Sequence, residues 1–459
     1  MTDAPVAHPE HSADAGRRRN IVIIGGGVIG CTTAYYLTRH PTFNPDLHRV
    51  TLLEATDIAS GASGKAGGLL GLWAYPACLV PLSYSLHEKL AEEHSGAERW
   101  GYRRLGCGTI GAVVKSSDLQ PSTLPPTESN GISDALPIKT TVSAASAKGA
   151  EGEKAWEKLP KQDTAAASLL ASAPLPADLD WVNPSLLRYY EQMGGPGATE
   201  TAQVHPFQFT NAIADLARAK GVDIRLGARA TKLNHSKENG VRSVDYLDRT
   251  TSTTHSIDDV TDIVVTAGPW TGKLLPKTRI EGLRAHSVVF SADVTPHAVF
   301  TDIQLPSDYI PEHRAKVGQK RRHKSRVDPE IYARPNGEVY ACGEPDSSVP
   351  LPDTTDLVQC DEAQCDDLVA YISTVSPVLA AAPVKAKQAC YLPRHMRFGE
   401  ERAPLIGPSL VEGLWIASGH TCWGIQNGPA TGCLMAEMLF EGEAKSADIS
   451  KLDPRRLKL

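Results

Sequence analysis

The chain has 459 residues, a formal net charge of −6 and nine cysteines, an odd number. That length predicts about two or three domains with at least one sizeable core. The acidic balance argues against nucleic acid as a partner. The cysteines lack paired C-x-x-C spacing and a neighbouring histidine set, which predicts a reducing compartment and no metal site.

Residues 1–18 read as a disordered tail with no apolar signal-peptide core, and no apolar run reaches a membrane span of about 18 residues. Ile21-Val22-Ile23-Ile24 then runs into Gly25-Gly26-Gly27-Val28-Ile29-Gly30 and on to Leu37, which predicts a strand, a tight turn and a helix. Gly25, Gly27 and Gly30 fit G-x-G-x-x-G: the first permits the turn, the second lets backbone approach a pyrophosphate, and the third packs helix on strand. Val28 and Ile29 open a helix whose unpaired N–H groups and positive dipole end face the phosphates. A second apolar run, Val50–Leu53, ends in Glu54, about 20 residues on, where an acid binds ribose hydroxyls and disfavours the extra phosphate of NADP. The spacing predicts a dinucleotide-binding unit over 20–54.

The small-residue run from Ala59 to Leu70 follows, with Ser63, Lys65, Ala66, Gly67, Gly68 and Leu69 suited to a large ligand passing close to backbone. Strand, glycine turn, helix, strand and Glu54, followed directly by this run, resemble the flavin-binding half of the D-amino-acid oxidase superfamily, which includes glycine, sarcosine and fructosyl-amino-acid oxidases. Within it, the run Ser63–Leu70 is most similar to a fungal group of FAD-dependent oxidoreductase-like proteins. The resemblance implies an α/β fold: a Rossmann-type FAD domain assembled from 19–101, 200–281 and 401–459, and an α+β substrate domain on a mixed sheet from 102–199 and 282–400.

Leu82, Leu86 and Leu90 predict an amphipathic helix to Glu93, and Tyr102–Ile110 a strand. Between 116 and 174 the composition shifts to Ala, Ser, Pro, Thr, Lys and Glu, which reads as a mostly looped insertion with a helix near 150–159, available to a protein partner. His205 reads as a structural residue ahead of a helix over 211–220. Residues 229–258 read as a polar hairpin, and Asp262–Val265 as a buried parallel strand ending in a small-residue turn. There Ala267, Gly268 and Trp270 resemble a flavoprotein motif whose backbone nears the cofactor. Residues 331–344 alternate like a hairpin, and a helix follows over 361–375.

The terminal region runs from Cys390-Tyr391-Leu392-Pro393-Arg394 to a strand, a glycine turn and a helix opening at Gly428–Pro429. A helix N-terminus here suits a flavin pyrimidine that gathers negative charge on reduction. The resemblance places Gly419, His420, Gly424, Ile425 and Gln426 at the isoalloxazine. It also makes Cys390 a candidate for covalent attachment of FAD, against the alternative of a buried apolar thiol. Gln426, His286 and Arg394 are the candidate catalytic residues. Gln426 stands where relatives carry a substrate-binding lysine; either Arg394 or Arg284 replaces that cation, or the substrate is a larger or less acidic amine.

The resemblance implies oxidation of a C–N bond in an amine or amino acid by hydride transfer to flavin N5, giving an imine, with dioxygen as acceptor. Alternatives are a dehydrogenase with a protein or quinone acceptor, and a flavoprotein acting as a trafficking or assembly partner. The expected location is cytoplasmic, with peroxisomal or endosome-associated locations as alternatives; Leu457-Lys458-Leu459 resembles a peroxisomal S-K-L address but lacks its small first residue.

Overall fold

The computed structural model describes residues 16–119, 171–194, 200–236, 238–319 and 325–459. The tail over residues 1–15 and the helix expected near 150–159 lie outside the described residues.

Arg19–Ile24 forms the strand its apolar run predicts, and it pairs in parallel with His48–Leu53 on one side and Asp262–Val265 on the other. Successive side chains alternate across a strand. Ile21 and Ile23 therefore join a core of helices, while Val22 and Ile24 join one beneath the opposite face. Both faces being covered explains why the run is continuously apolar. Asp223–Arg225 and Leu414–Ser418 extend the sheet in parallel at its two sides, and Leu405–Pro408 closes it antiparallel.

The first helix, Val28–Leu37, packs against the terminal helix Gly424–Glu441 and against Pro206–Arg218. The third of these starts earlier than its apolar period suggests because Pro206 occupies the first turn, where its missing N–H costs nothing. Residues 228–257 are a three-stranded antiparallel sheet, Ala228–Ser236, Gly240–Asp248 and Thr253–Ile257, one strand more than the expected hairpin. Gly240 at positive φ makes the first turn.

The second large sheet is mixed. Its long strands Ile280–Ser291 and Val384–Arg397 pair antiparallel from Ile280 opposite His395 to Phe290 opposite Val384. Gly106–Val113 and His297–Gln304 pair in parallel. The hairpin Glu330–Arg334 and Glu338–Asp346 forms around Asn336-Gly337, both at positive φ. The strand Ile280–Ser291 crosses the expected domain division at 281/282. Among the described residues no helix is long and apolar enough to cross a membrane.

Candidate active site

The carboxyl ends of the parallel strands face the second sheet across a cavity of about 510 Å³. This is where open α/β sheets bind ligands, and the volume falls in the range of roughly 300–1,000 Å³ of small-molecule sites.

At one end, Gly25 has φ +113°, and a Cβ there would stand 2.6 Å from the Thr266 carbonyl oxygen, so neither the turn nor the space admits a side chain. Gly27, Val28 and Ile29 line the cavity beside it. Gly30 does not. A Cβ on it would lie 1.9 Å from the Gly25 carbonyl oxygen, so its role is the close packing of helix on turn. Glu54 lines the cavity and also holds the turn: Oε2 accepts the Gly26 amide at 2.7 Å, and Oε1 accepts the Thr56 amide at 2.8 Å. Burial pushes its carboxyl up, against those hydrogen bonds.

Ser63, Lys65, Ala66, Gly67, Gly68 and Leu69 form the next stretch of wall. Ser63 Oγ accepts the Val28 amide at 2.9 Å, tying this segment to the helix N-terminus. Lys65 Nζ donates to the Ala389 carbonyl at 3.0 Å. Gly67 lies against the Tyr332 ring, 2.1 Å from where its Cβ would be, so the segment can sit on that ring only without a side chain. Ala267, Gly268 and Trp270 line the opposite side, with Trp270 Nε1 donating to the Pro352 carbonyl at 2.7 Å.

His420, Gly424 and Ile425 complete the lining together with Cys390. Burial depresses His420 to about 3, so its imidazole is neutral, and Nε2 lies 3.0 Å from Thr431 Oγ1. Burial pushes the Cys390 thiol up to about 11, with Lys65 opposing. Cys342 and Cys422 are raised further by burial, with Glu330 adding to the effect.

The three expected catalytic residues are not brought to the cavity. The terminal helix begins at Gly424 rather than at Gly428, so Gln426 falls in its first turn, fully buried, where Oε1 accepts the Gly71 amide at 2.8 Å. Ala285 faces the cavity, and alternation along the strand turns Arg284 and His286 away from it. His286 Nε2 accepts the Asp361 amide at 3.1 Å, and Arg284 clasps Asp346 through two hydrogen bonds of 3.1 Å. Arg394 lies past Leu392 at the edge of the cavity, where its guanidinium meets Glu281 at 3.1 Å. Gly419, at φ +91°, shapes the turn before His420 without lining the cavity.

Sequence reasoning missed the wall on the second sheet, Phe300, Glu330, Tyr332, Tyr340 and Cys342, and Trp423 ahead of the terminal helix. A signal was present in the hairpin, where Glu330, Tyr332 and Arg334 share one alternating face of a strand whose other face, Ile331 and Ala333, is apolar.

An open helix N-terminus, an acid at the second strand, a wall of mostly small residues and a second helix N-terminus beside the first, where Gly424 approaches Val28, together fit an FAD laid along the cavity. The fold and this cavity define a two-domain flavin-dependent oxidoreductase. The chain belongs to the FAD dependent oxidoreductase family (DAO), which it matches over residues 20–438. It is 36% identical to "Putative oxidoreductase TDA3" of Saccharomyces cerevisiae, over 97% of this chain and 96% of that protein. Its fold is similar to glycine oxidase from Geobacillus kaustophilus, with a TM-score of 0.62 and 18% identity over 95% of this chain and 98% of that one. It is likewise similar to L-proline dehydrogenase from P. horikoshii, with a TM-score of 0.63 and 15% identity over 96% and 98%.

Proposed function

We propose that the chain oxidises the C–N bond of an amine or amino acid at FAD held in this cavity, with dioxygen as the electron acceptor. The observation that carries this reading is the continuity of one cavity from the Gly25–Glu54 end to an aromatic wall on the second sheet. The glycine oxidase and the proline dehydrogenase that share the fold are both named for amino-acid substrates, which supports the C–N assignment.

Bound flavin supplies the acceptor for a hydride from the carbon next to nitrogen. The chain supplies position. Phe300, Tyr332, Tyr340 and Trp423 exclude water from the substrate end and orient the neutral amine. The N-terminus of Gly424–Glu441 favours negative charge gathered on the cofactor. Cys390 is the candidate anchor for a covalent flavin, because it is the cavity thiol whose burial is opposed by a cation, Lys65.

Anaerobic mixing of the flavin-loaded protein with a panel of amines, amino acids and hydroxy acids tests the reading. Bleaching of the flavin by amines alone, followed by rapid return of colour in air, is the expected result. Bleaching by hydroxy acids alone overturns the C–N assignment, and slow return of colour in air overturns dioxygen as the acceptor.

A further inference from the structure

The stretch between the strand Glu338–Asp346 and the helix Glu362–Ser373 leaves the second sheet and returns to it. One buried side chain closes its base. The Arg284 guanidinium holds Asp346 at the start through Nε and Nη2, each at 3.1 Å, and the Gln359 carbonyl at the end through Nη1 at 3.0 Å. With both ends drawn to one point, and with the length of about 6–16 residues typical of such loops, Asp346–Gln359 is an Ω-loop.

Its tip lies across the cavity, against segments that follow strands of the first sheet. Trp270 Nε1 and Lys273 Nζ both donate to the Pro352 carbonyl, at 2.7 and 3.0 Å. Asp353 accepts from Lys273 and from Arg229, each at 3.1 Å, and Asp356 accepts from Arg249 at 2.7 Å. Thr355 Oγ1 lies 2.9 Å from Ser60 Oγ and 2.6 Å from Thr56 Oγ1. Thr56 is the residue whose amide Glu54 accepts, so the loop meets the acid-bearing end of the cavity. Asp353, Thr354 and Thr355 line the cavity there, together with Arg229 and Lys273.

Joining a strand to the next helix does not require this crossing. The two ends of the loop also differ in how firmly they are held. At the base, the Arg284 and Asp346 side chains are 4% and 7% exposed, and a buried, hydrogen-bonded pair is costly to break. At the tip, Asp353 and Asp356 are 63% and 48% exposed, where ion pairs are individually weak and screened by salt. The base is fixed and the tip is releasable.

We propose that Asp346–Gln359 is a latch over the adenosine half of FAD, and that the cofactor enters and leaves the cavity by release of its tip. An acid at the end of the second strand marks where the adenosine ribose lies, and the tip covers that place. Lifting it uncovers Arg229 and Lys273, two cations suited to drawing in an anionic cofactor, and closing covers them with Asp353. The latch is independent of which bond the flavin oxidises, because it concerns how the cofactor is kept.

Release of FAD from the loaded protein tests this, followed as recovery of flavin fluorescence after dilution. A Cys390→Ala background excludes a thioether at that thiol. Ser60→Cys with Thr355→Cys places two thiols where hydroxyl oxygens stand 2.9 Å apart, near enough for a disulfide across the closed loop. Oxidising this pair is expected to slow release by about 10-fold or more, because it removes the open state, and reduction is expected to restore it. Asp353→Asn with Asp356→Asn is expected to speed release by about 3- to 30-fold, the loss of the exposed ion pairs at the tip, and to remove most of its dependence on salt.

Release at one rate from the oxidised and reduced pair, or release unchanged by the two asparagines, overturns the latch. Should the cysteines not join, or the Cys390→Ala protein not hold flavin, hydrogen exchange in the unaltered loaded protein decides. The Leu357 and Val358 amides bond within the tip to the Thr354 and Thr355 carbonyls. They are expected to exchange several-fold faster in about 1 M salt than in about 0.01 M, as screening loosens the tip. Equal exchange in the two overturns the proposal.

Discussion

His87 Nε2 donates to the Ile425 carbonyl at 2.9 Å, replacing the amide that Pro429 lacks. Proline inside a helix frees the carbonyl four residues back, and here a side chain from the helix Val80–Glu93 pairs it. Ser83 of the same helix accepts the Ala430 amide at 3.1 Å, and Thr32 donates to the Gly428 carbonyl at 2.8 Å. The turn that lines the cavity is thus held by side chains from two other helices. His87→Leu leaves a buried carbonyl unpaired and is expected to cost about 1–3 kcal/mol. A urea titration checks this as a lower midpoint at unchanged slope, with weaker flavin retention alongside.

Acid should destabilise the protein through the same region. Burial depresses His87 to about 4 and His420 to about 3, from an ordinary 6.5. The unfolded chain therefore binds protons below about pH 6.5 that the folded chain refuses. The contribution is fully present above that pH and is lost as pH falls toward about 4 for His87 and about 3 for His420, on the order of a few kcal/mol in all. Denaturation midpoints measured across this range should fall, and less steeply in His87→Leu.

Gly25→Ala places a methyl group against the Thr266 carbonyl at a φ that L residues rarely adopt. The expected outcome is a chain purified with a much reduced flavin-to-protein absorbance ratio. Unchanged flavin content would show that the turn tolerates a side chain.

Gln426→Ala removes the acceptor of the buried Gly71 amide. It is expected to lower stability by about 1–3 kcal/mol while leaving the ratio of rates between two amines unchanged. A changed ratio at unchanged stability would return Gln426 to the substrate.

The cofactor end of the site was legible because its physics is local. Gly25, Gly27 and Glu54 lie within one strand–turn–helix–strand unit, and the run from Ser63 to Leu69 is adjacent in sequence. The substrate end was not, because it is made by pairing across distant strands. Phe300, Glu330 and Cys342 become one row only through the sheet register, and nothing in spacing alone turns Ala285 inward and His286 outward. The start of the terminal helix was misplaced by one turn because Pro429 was read as an opening residue; the partners that let it sit inside the helix, His87 and Ser83, lie hundreds of positions away.

Acid precipitation distinguishes the two modes of flavin attachment. Colour kept in the pellet and lost from it in Cys390→Ala supports the thioether, while colour released to the supernatant of the unaltered protein rules it out.

The visible absorption spectrum of the purified full-length chain, before and after incubation with FAD, tests the account most directly. Flavin bands at about one cofactor per chain, as one continuous cavity predicts, are the expected result. A folded chain that is colourless and takes up no FAD would contradict it.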